Sequence, residues 1–359
     1  MEYFTFVIFY SIFAFTCLEQ KSNIEKRGLY YLFAIFVALV IGSRGIVDEY
    51  SRLFDRMPDF IDYISGSYEL GLEKGYLFGL ISSFLKSAGF SSQSLLLFFA
   101  LCSLFFHAYF YPKFTKYYAI AFLFYLSHEI INKDWIQIRS GLSSALVLPM
   151  IYYAVNQHKK TFLALWLISS LIQYVGILSV VVYGLNKRIR VEFLFAILII
   201  SILVSFSGIV QSLLLSLDQQ GYLPSIVSLY IKWKAYSYDL TIFHFKILEQ
   251  ICILCVTFLL IKLYGYKEIR YFNIILNVYF LSTISFIILS QFAIFSVRIG
   301  SLFNVVEPLM IVYLAEYFKK GLNKNLYFVL VIIGSLLLAF VNYIYTSKLP
   351  EYELFVGGM

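Results

Sequence analysis

Three uncharged stretches constrain this chain more than anything else in it. They are "FLFAILIISILVSFSGIVQSLLLSL" (193–217), "YFNIILNVYFLSTISFIILSQFAIFSV" (271–297) and "LYFVLVIIGSLLLAFVNYIYTS" (326–347). Each is longer than the about 20 residues that a helix needs to cross the hydrocarbon core. Their apolar residues run on without a break, whereas a membrane β-strand alternates apolar and polar positions. In lipid the backbone of such a run must satisfy its own hydrogen bonds, so it is helical. The rest of the chain agrees: 61% of it is apolar and its mean hydropathy is +0.81, well above the about 45–50% apolar content of a soluble domain. The sequence therefore predicts an all-α polytopic integral membrane protein.

A net charge of +7 does not point to nucleic acid, because most of the Lys and Arg residues lie in short loops between apolar segments, where they set orientation. The first apolar run begins near Met1 with no basic leader or small-residue cleavage site, and it reads as a retained span. Cys17, Cys102, Cys252 and Cys255 all fall in apolar segments. The Cys252–Cys255 pair has redox-motif spacing but sits inside a span, where packing is its expected role. No Walker, Rossmann or zinc-ligand spacing is present, so no nucleotide, metal or other cofactor is expected.

Basic clusters mark the cytoplasmic loops: "KSNIEKR" (21–27), "PKFTK" (112–116), "QHKK" (157–160), "NKRIR" (186–190), "KLYGYKEIR" (262–270) and "KKGLNK" (319–324). The path then crosses at 3–18 and 28–43, runs through an outer loop at 44–75, and returns at 93–111. Segment 76–90 is short and carries Lys86, which suits an interfacial or re-entrant helix. Crossings at 117–131 and 140–156 flank an outer turn at 131–139. Segment 161–184 has basic clusters at both ends, and a broken re-entrant pair hinged near Gln173–Gly176 fits it best. Spans at 193–215, 245–261, 271–297, 299–317 and 326–346 complete the path, with a second outer loop at 216–243. The expectation is a single transmembrane domain over 1–359 with about ten to twelve transmembrane helices plus re-entrant or interfacial segments, both termini outside.

Three arginines stand at outer span ends, against the trend: Arg44, Arg139 and Arg298. An arginine at the bilayer centre costs about 2.5–3.5 kcal/mol on insertion scales, so such residues pair or line polar cavities. Arg139 opens a helix whose first turn holds Ser140, Gly141, Ser143 and Ser144. The free N–H groups and dipole of that turn favour an anion, and a guanidinium offers phosphate a planar fork. With Lys232, Lys234 and Tyr236 of the second outer loop, the arginines outline a cationic outer pocket. Two plainer roles stay open: Arg44 has helical ion-pair spacing to Asp48, and Arg298 can snorkel to headgroups.

Among the acids, Asp48, Glu69, Glu73 and Asp134 lie on the outer side, as general-base candidates or as charge balance for the arginines. Glu307, before Pro308 in mid-span, is either functional or hydrogen-bonded to a neighbouring helix. His128 and His244 fall near the outer face and read as structural histidines; His158 belongs to a cytoplasmic cluster.

These residues resemble the EpsG/Wzy class of bacterial polysaccharide polymerases. Arg44, Asp48 and Tyr50 look like its arginine–aspartate–tyrosine pattern after an early span. Glu73, Gly75 and Tyr76 resemble an "E-x-G-Y" entry, and Ile138, Arg139, Gly141 and Leu142 match an "I-R-x-G-L" helix start. Arg298, Glu307 and Pro308 resemble a late arginine followed by an acid–proline pair. One motif departs: where the family often has "H-x-S-A", this chain has "QYVG", Gln173 to Gly176.

The resemblance implies a GT-C-like membrane glycosyltransferase of the bacterial inner membrane with its active site facing the periplasm. It would move a growing glycan from undecaprenyl diphosphate to the non-reducing end of a lipid-linked repeat unit, without a metal. Asp48, Glu73 and Arg139 would carry the chemistry, and Arg44, Arg139, Arg298, Lys232 and Tyr236 would bind substrate. Implied partners are the lipid-linked repeat units, membrane lipids and a chain-length regulator, with no nucleic acid. An O-antigen ligase or another lipid-linked-sugar glycosyltransferase shares this donor and differs in acceptor. A flippase would need charge through the span centres, and a transporter repeated intramembrane acids; neither pattern stands out.

The orientation has a direct check. Single cysteines at Ser51 and Ser225 should react with a membrane-impermeant thiol reagent in intact spheroplasts, and one at Ser22 only after permeabilisation. Prior labelling at Ser22 would reverse the orientation.

Overall fold

A computed structural model describes residues 2–17, 24–44, 49–66, 75–223, 227–228, 231, 240–319 and 321–342. Helices α1 (Glu2–Thr16) and α2 (Ile24–Gly42) open the chain, and the short α3 (Glu49–Asp55) and α4 (Phe60–Ile64) follow. Next come α5 (Tyr76–Ser87), α6 (Ser92–Phe114) and α7 (Tyr118–His128). A π-helical turn (Ile131–Ile136) leads into α8 (Ile138–Ala145) and α9 (Val147–Val155), which together make one span. Then α10 (Lys159–Ile172) meets a 3-10 helix (Tyr174–Leu185), and α11 (Val191–Ser207) continues into α12 (Ile209–Gln219). The last five are α13 (Phe245–Tyr264), α14 (Phe272–Ile288), α15 (Ala293–Asn304), α16 (Glu307–Leu314) and α17 (Leu322–Phe340).

Among the described residues, four helical segments are long and apolar enough to cross a bilayer: α6, α8 with α9, α13 and α17. Two bent pairs, α11–α12 at 59° and α15–α16 at 52°, raise that to six when each counts as one span. Shorter apolar helices, α7 and α14 among them, fill the bundle between these. The protein is a multi-pass membrane protein, turned inside out in its polarity. Leu32, Phe206 and Leu330 face outward, while Gln250, Asn277, Asn304 and a series of serines are buried.

Two stretches that read as single spans are broken. Segment 271–297 turns at 289–292, and α15 packs back on α14. Ser282 Oγ donates to the Gly300 carbonyl at 2.8 Å and Ser296 Oγ to that of Phe286 at 2.9 Å. A Cβ on Gly300 would meet the Phe286 ring at 2.4 Å, so the absence of a side chain permits this approach. Segment 193–217 bends at Gly208, whose φ of +68° suits the left-handed stop after a helix. Hydropathy averaged over a span-length window passes over both breaks, because the turns are short and uncharged; Ser290 and Gln291 are the polar residues of the second.

Segment 161–184 is the hinged pair expected of it. The α10 helix ends at Ile172 and the 3-10 helix starts at Tyr174. They run back alongside each other: Trp166 Nε1 donates to the Ile177 carbonyl at 2.9 Å, and the Phe162 and Tyr183 rings lie 5.1 Å apart. Its two ends sit together, since Tyr183 Oη donates to Gln157 Oε1 at 3.4 Å. Segment 76–90 contains the 12-residue α5, too short to cross, whose Lys86 Nζ caps the carbonyls of Asp55 and Met57 at 2.7 Å each.

The basic clusters gather at one end of the bundle. Arg270 bonds Asn156, the Arg188 guanidinium lies 4.0 Å from the Tyr266 ring centre, and Lys324 Nζ lies 5.0 Å from that of Tyr117. Arg44, Arg139, Arg298 and the 131–136 turn belong to the other end, where Asn342 Nδ2 donates to the Ser127 carbonyl at 3.1 Å. A Cβ on Gly141 would lie 2.6 Å from the Lys133 carbonyl oxygen, so this glycine lets α8 close on the 131–136 turn. Gly141→Val should cost about 1–3 kcal/mol by overpacking, read as a lower melting temperature of the detergent-purified protein; an unchanged melt would mean that the two elements separate freely.

Candidate functional site

At the end opposite the basic clusters, α7, α13, α15 and α16 bring their termini together. From α7 and the residue after it come His128 and Glu129; from the first turns of α13 come Lys246, Glu249 and Gln250. Asn304 closes α15, Glu307 opens α16, and Lys133 reaches in from the π-helical turn. Pro308 beside Glu307 has no N–H to lose in a first helical turn, so the chain restarts there without an orphaned donor.

The Lys246 ammonium is the centre of this cluster. Its Nζ donates to Glu129 Oε1 at 2.8 Å and Glu307 Oε1 at 2.9 Å, lies 3.5 Å from Glu249 Oε2, and hydrogen-bonds His128 Nε2. His128 Nε2 is in turn 3.0 Å from Glu249 Oε2. Asn304 Nδ2 donates to Glu129 Oε1 at 2.7 Å, and Gln250 Nε2 donates to Asn304 Oδ1 at 2.6 Å and Glu307 Oε2 at 3.3 Å. Lys133 Nζ bonds the Ser301 carbonyl at 2.9 Å and lies 3.6 Å from Glu129 Oε2. Glu307 is fully buried and Lys246 is 17% exposed. Three carboxylates thus share two ammonium groups and an imidazole, away from bulk water. Each ion costs several kcal/mol to desolvate, and the near-complete set of hydrogen bonds offsets that cost.

His128, Glu129 and Glu307 also carry ligand atoms within 4.8 Å of one another, as a metal site would. Here the Lys246 ammonium fills the point that a bridging cation would take, donating to all three. The protein supplies its own cation to this set.

A cavity of about 840 Å³ opens beside the cluster, with His128, Glu129, Lys133 and Lys246 on its wall. Amide and hydroxyl groups of Asn132, Gln137, Thr241, Ser301 and Asn342 line it together with the rings of Phe245 and Phe286. A narrow crevice of about 10 Å³ adjoins it through Ser301, and Arg298, Ser140, Ser143 and Gln173 line it. Ser143 Oγ is 2.7 Å from Ser169 Oγ, which ties the start of α8 to the tip of the α10 hairpin. The "I-R-x-G-L" helix start, the "QYVG" hinge and the late arginine, far apart in sequence, therefore meet. Arg139 is half-buried with its guanidinium 5.1 Å from the Phe78 ring centre and 5.8 Å from that of Tyr50.

Arg44 is placed differently from the other two arginines. It is 1% exposed, its Nη1 donates to the Ile41 carbonyl at 3.0 Å and the Asp134 carbonyl at 3.4 Å, and it lies 5.5 Å from the Trp135 ring centre. Asp134, one of the candidate bases, is buried and accepts from the Tyr125 hydroxyl. Neither borders the large cavity. Asp48, Glu73, Lys232 and Tyr236 lie outside the described residues.

Sequence reasoning passed over Lys246, Glu129 and Lys133 and took His128 for a structural residue. A signal was there: Lys133 and Lys246 break the same charge trend as the arginines, and "FKILEQ" carries a lysine and a glutamate into an otherwise uncharged run.

The sequence pattern of the EpsG family matches residues 27–355. The chain belongs to the EpsG family. It is also similar to the amylovoran biosynthesis protein AmsC of Erwinia amylovora, 26% identical over 266 residues, which cover 73% of this chain and 70% of that protein. No solved structure matches.

Removing Lys246 alone leaves three carboxylates facing one another. Lys246→Met should destabilise this EpsG-family protein by about 3–5 kcal/mol, seen as lost monodispersity and a lowered melt in detergent. Adding Glu129→Gln and Glu307→Gln should restore much of the loss; no recovery in the triple variant would show that the ammonium acts by packing alone.

Proposed function

We propose that this EpsG-family chain is a polysaccharide polymerase, a glycosyltransferase that extends a glycan on a polyprenyl-diphosphate carrier at the outer face of the bacterial inner membrane. Membership of the family and similarity to a protein of amylovoran biosynthesis support a polymerase role in polysaccharide biosynthesis. The observation that carries the finer reading is the meeting at Ser301 of a large polar cavity and a narrow crevice lined by Arg298, at the end away from the basic loops. One is sized for a few sugar rings, within the about 300–1,000 Å³ of small-molecule sites, and offers amides and hydroxyls to sugar hydroxyls and two phenyl rings to their apolar faces. The other presents Arg298 and adjoins the start of α8, where Arg139 stands.

In this reading the acceptor sugar lies in the large cavity and the donor diphosphate at the arginines. The bond between the anomeric carbon and the diphosphate oxygen breaks, its electron pair leaving with the diphosphate. The acceptor oxygen forms the new glycosidic bond and passes its proton to a carboxylate. The guanidinium groups stabilise charge as it develops on the leaving group, and a planar fork does this better than a point charge. Asp48 is the proposed base and Glu73 positions the acceptor; Glu129, on the cavity wall, is the alternative base. Undecaprenyl diphosphate is the proposed carrier, and a chain-length regulator the proposed partner.

Arg139→Ala should lower polymer formation by about 10²–10³-fold at normal abundance, with Arg139→Lys recovering little of it. Polymerisation in vitro with purified variants and lipid-linked repeat units measures this and assigns the base. Asp48→Asn should stop at single repeat units and Glu73→Gln should give shorter chains. Wild-type rates in Asp48→Asn beside an inactive, well-folded Glu129→Gln would move the base to Glu129, and full activity of Arg139→Ala would remove that arginine from the mechanism.

A further inference from the structure

At the basic end of the bundle, a second cavity of about 600 Å³ lies between the start of α11 and the end of α13. Arg188, Arg190 and Lys262 line it, with Glu192 as its one carboxylate, so two positive charges are in surplus. No ion pair joins any of the three cations to a carboxylate among the described residues. The loop that carries the two arginines is held in shape. Asn277 Nδ2 donates to the Leu185 carbonyl at 2.8 Å and the Lys187 carbonyl at 2.7 Å, and the Tyr266 hydroxyl donates to the Ile189 carbonyl. The Arg188 guanidinium is stacked 4.0 Å from the centre of the Tyr266 ring. The two helices that border the cleft also expose apolar side chains further along their length: Phe193 and Ile200 on α11, Leu259 and Leu263 on α13.

Preset cations with a surplus of charge, set at the ends of two helices that expose apolar side chains, match a ligand with an anionic head and hydrocarbon tails. We propose that this cleft binds the phosphate headgroup of an anionic glycerophospholipid of the inner leaflet, with the acyl chains along α11 and α13. Basic pockets between helices on the cytoplasmic side recognise lipid headgroups by the same physics, each cation near the surface contributing about fivefold in affinity. The site is separate from the sugar cavity, at the opposite end, and fixes the depth of the α11–α13 pair in the bilayer.

The test is native mass spectrometry of the full chain in detergent, titrated with phosphatidylglycerol and, as a zwitterionic control, phosphatidylcholine. Wild-type protein should retain phosphatidylglycerol in preference to the control. Arg190→Gln with Lys262→Gln, which removes no hydrogen bond or ring contact of the described residues, should weaken that retention by about 25-fold, and Glu192→Gln should strengthen it about fivefold. A gain in Glu192→Gln cannot come from misfolding. Equal retention of both lipids, or of phosphatidylglycerol by wild type and the double variant, would overturn the proposal. Displacement of the lipid by millimolar inorganic phosphate, with phosphate bound in its place, would assign the cleft to a free anion and overturn the lipid assignment.

Discussion

One ammonium group holds together the end of this bundle that lies away from the basic loops. Lys246 Nζ is shared by Glu129, Glu307 and His128, and these come from α13, the end of α7 and the start of α16. Remove it and three carboxylates confront each other in a low-dielectric interior, where like charges repel most strongly. Around it Asn304 and Gln250 spend their amide donors on the same carboxylates. Polar networks of this kind in a membrane interior are expensive unless complete, and completeness fixes which helix ends meet. The cavity wall therefore inherits its shape from an ion-pair network rather than from apolar packing, which in lipid has no hydrophobic drive to separate helices from tails.

The same logic applies one layer out. The 131–136 turn is held from both sides: Arg44 docks on its backbone at Asp134, and Lys133 reaches across to the Ser301 carbonyl. Gly141 leaves room for α8 to seat against it. Because α8 carries Arg139 and Ser140, and Ser301 separates the two compartments, the position of this turn sets the distance between the arginine crevice and the sugar-sized cavity. Arg44 then serves the site by bracing it. An arginine at a span end is informative in sequence, but whether it faces a substrate or a neighbouring backbone depends on what the fold packs above it.

The two ends of the bundle also divide the work by charge. At one end, cations in loops hold the topology and, around Arg188, form a cleft with positive charge left over. At the other, Lys133 and Lys246 are matched by buried carboxylates beside the large cavity. The proposed transfer between lipid-carried substrates would use this asymmetry, with a polar, shielded reacting end and an end that grips the headgroup layer.

The sequence by itself determined the membrane character, the all-helical class, the gathering of the basic loops at one end and the hinge at Gln173, because these follow from local composition and from where charge sits along the chain. It also put Arg139 and Arg298 forward, with Arg44, as parts of one cationic site, and marked Gln173 only as a hinge and a departure from the family motif. It did not reveal the breaks at Gly208 and at 289–292, since a short uncharged turn barely lowers the hydropathy of a span-length window. Nor did it pair Lys246 with Glu129 and Glu307, which lie 117 and 61 residues away along the chain. Each of these charges alone is a modest anomaly at a helix end. Only the tertiary structure, by bringing helix termini within hydrogen-bonding distance where no water competes, turns them into a single site.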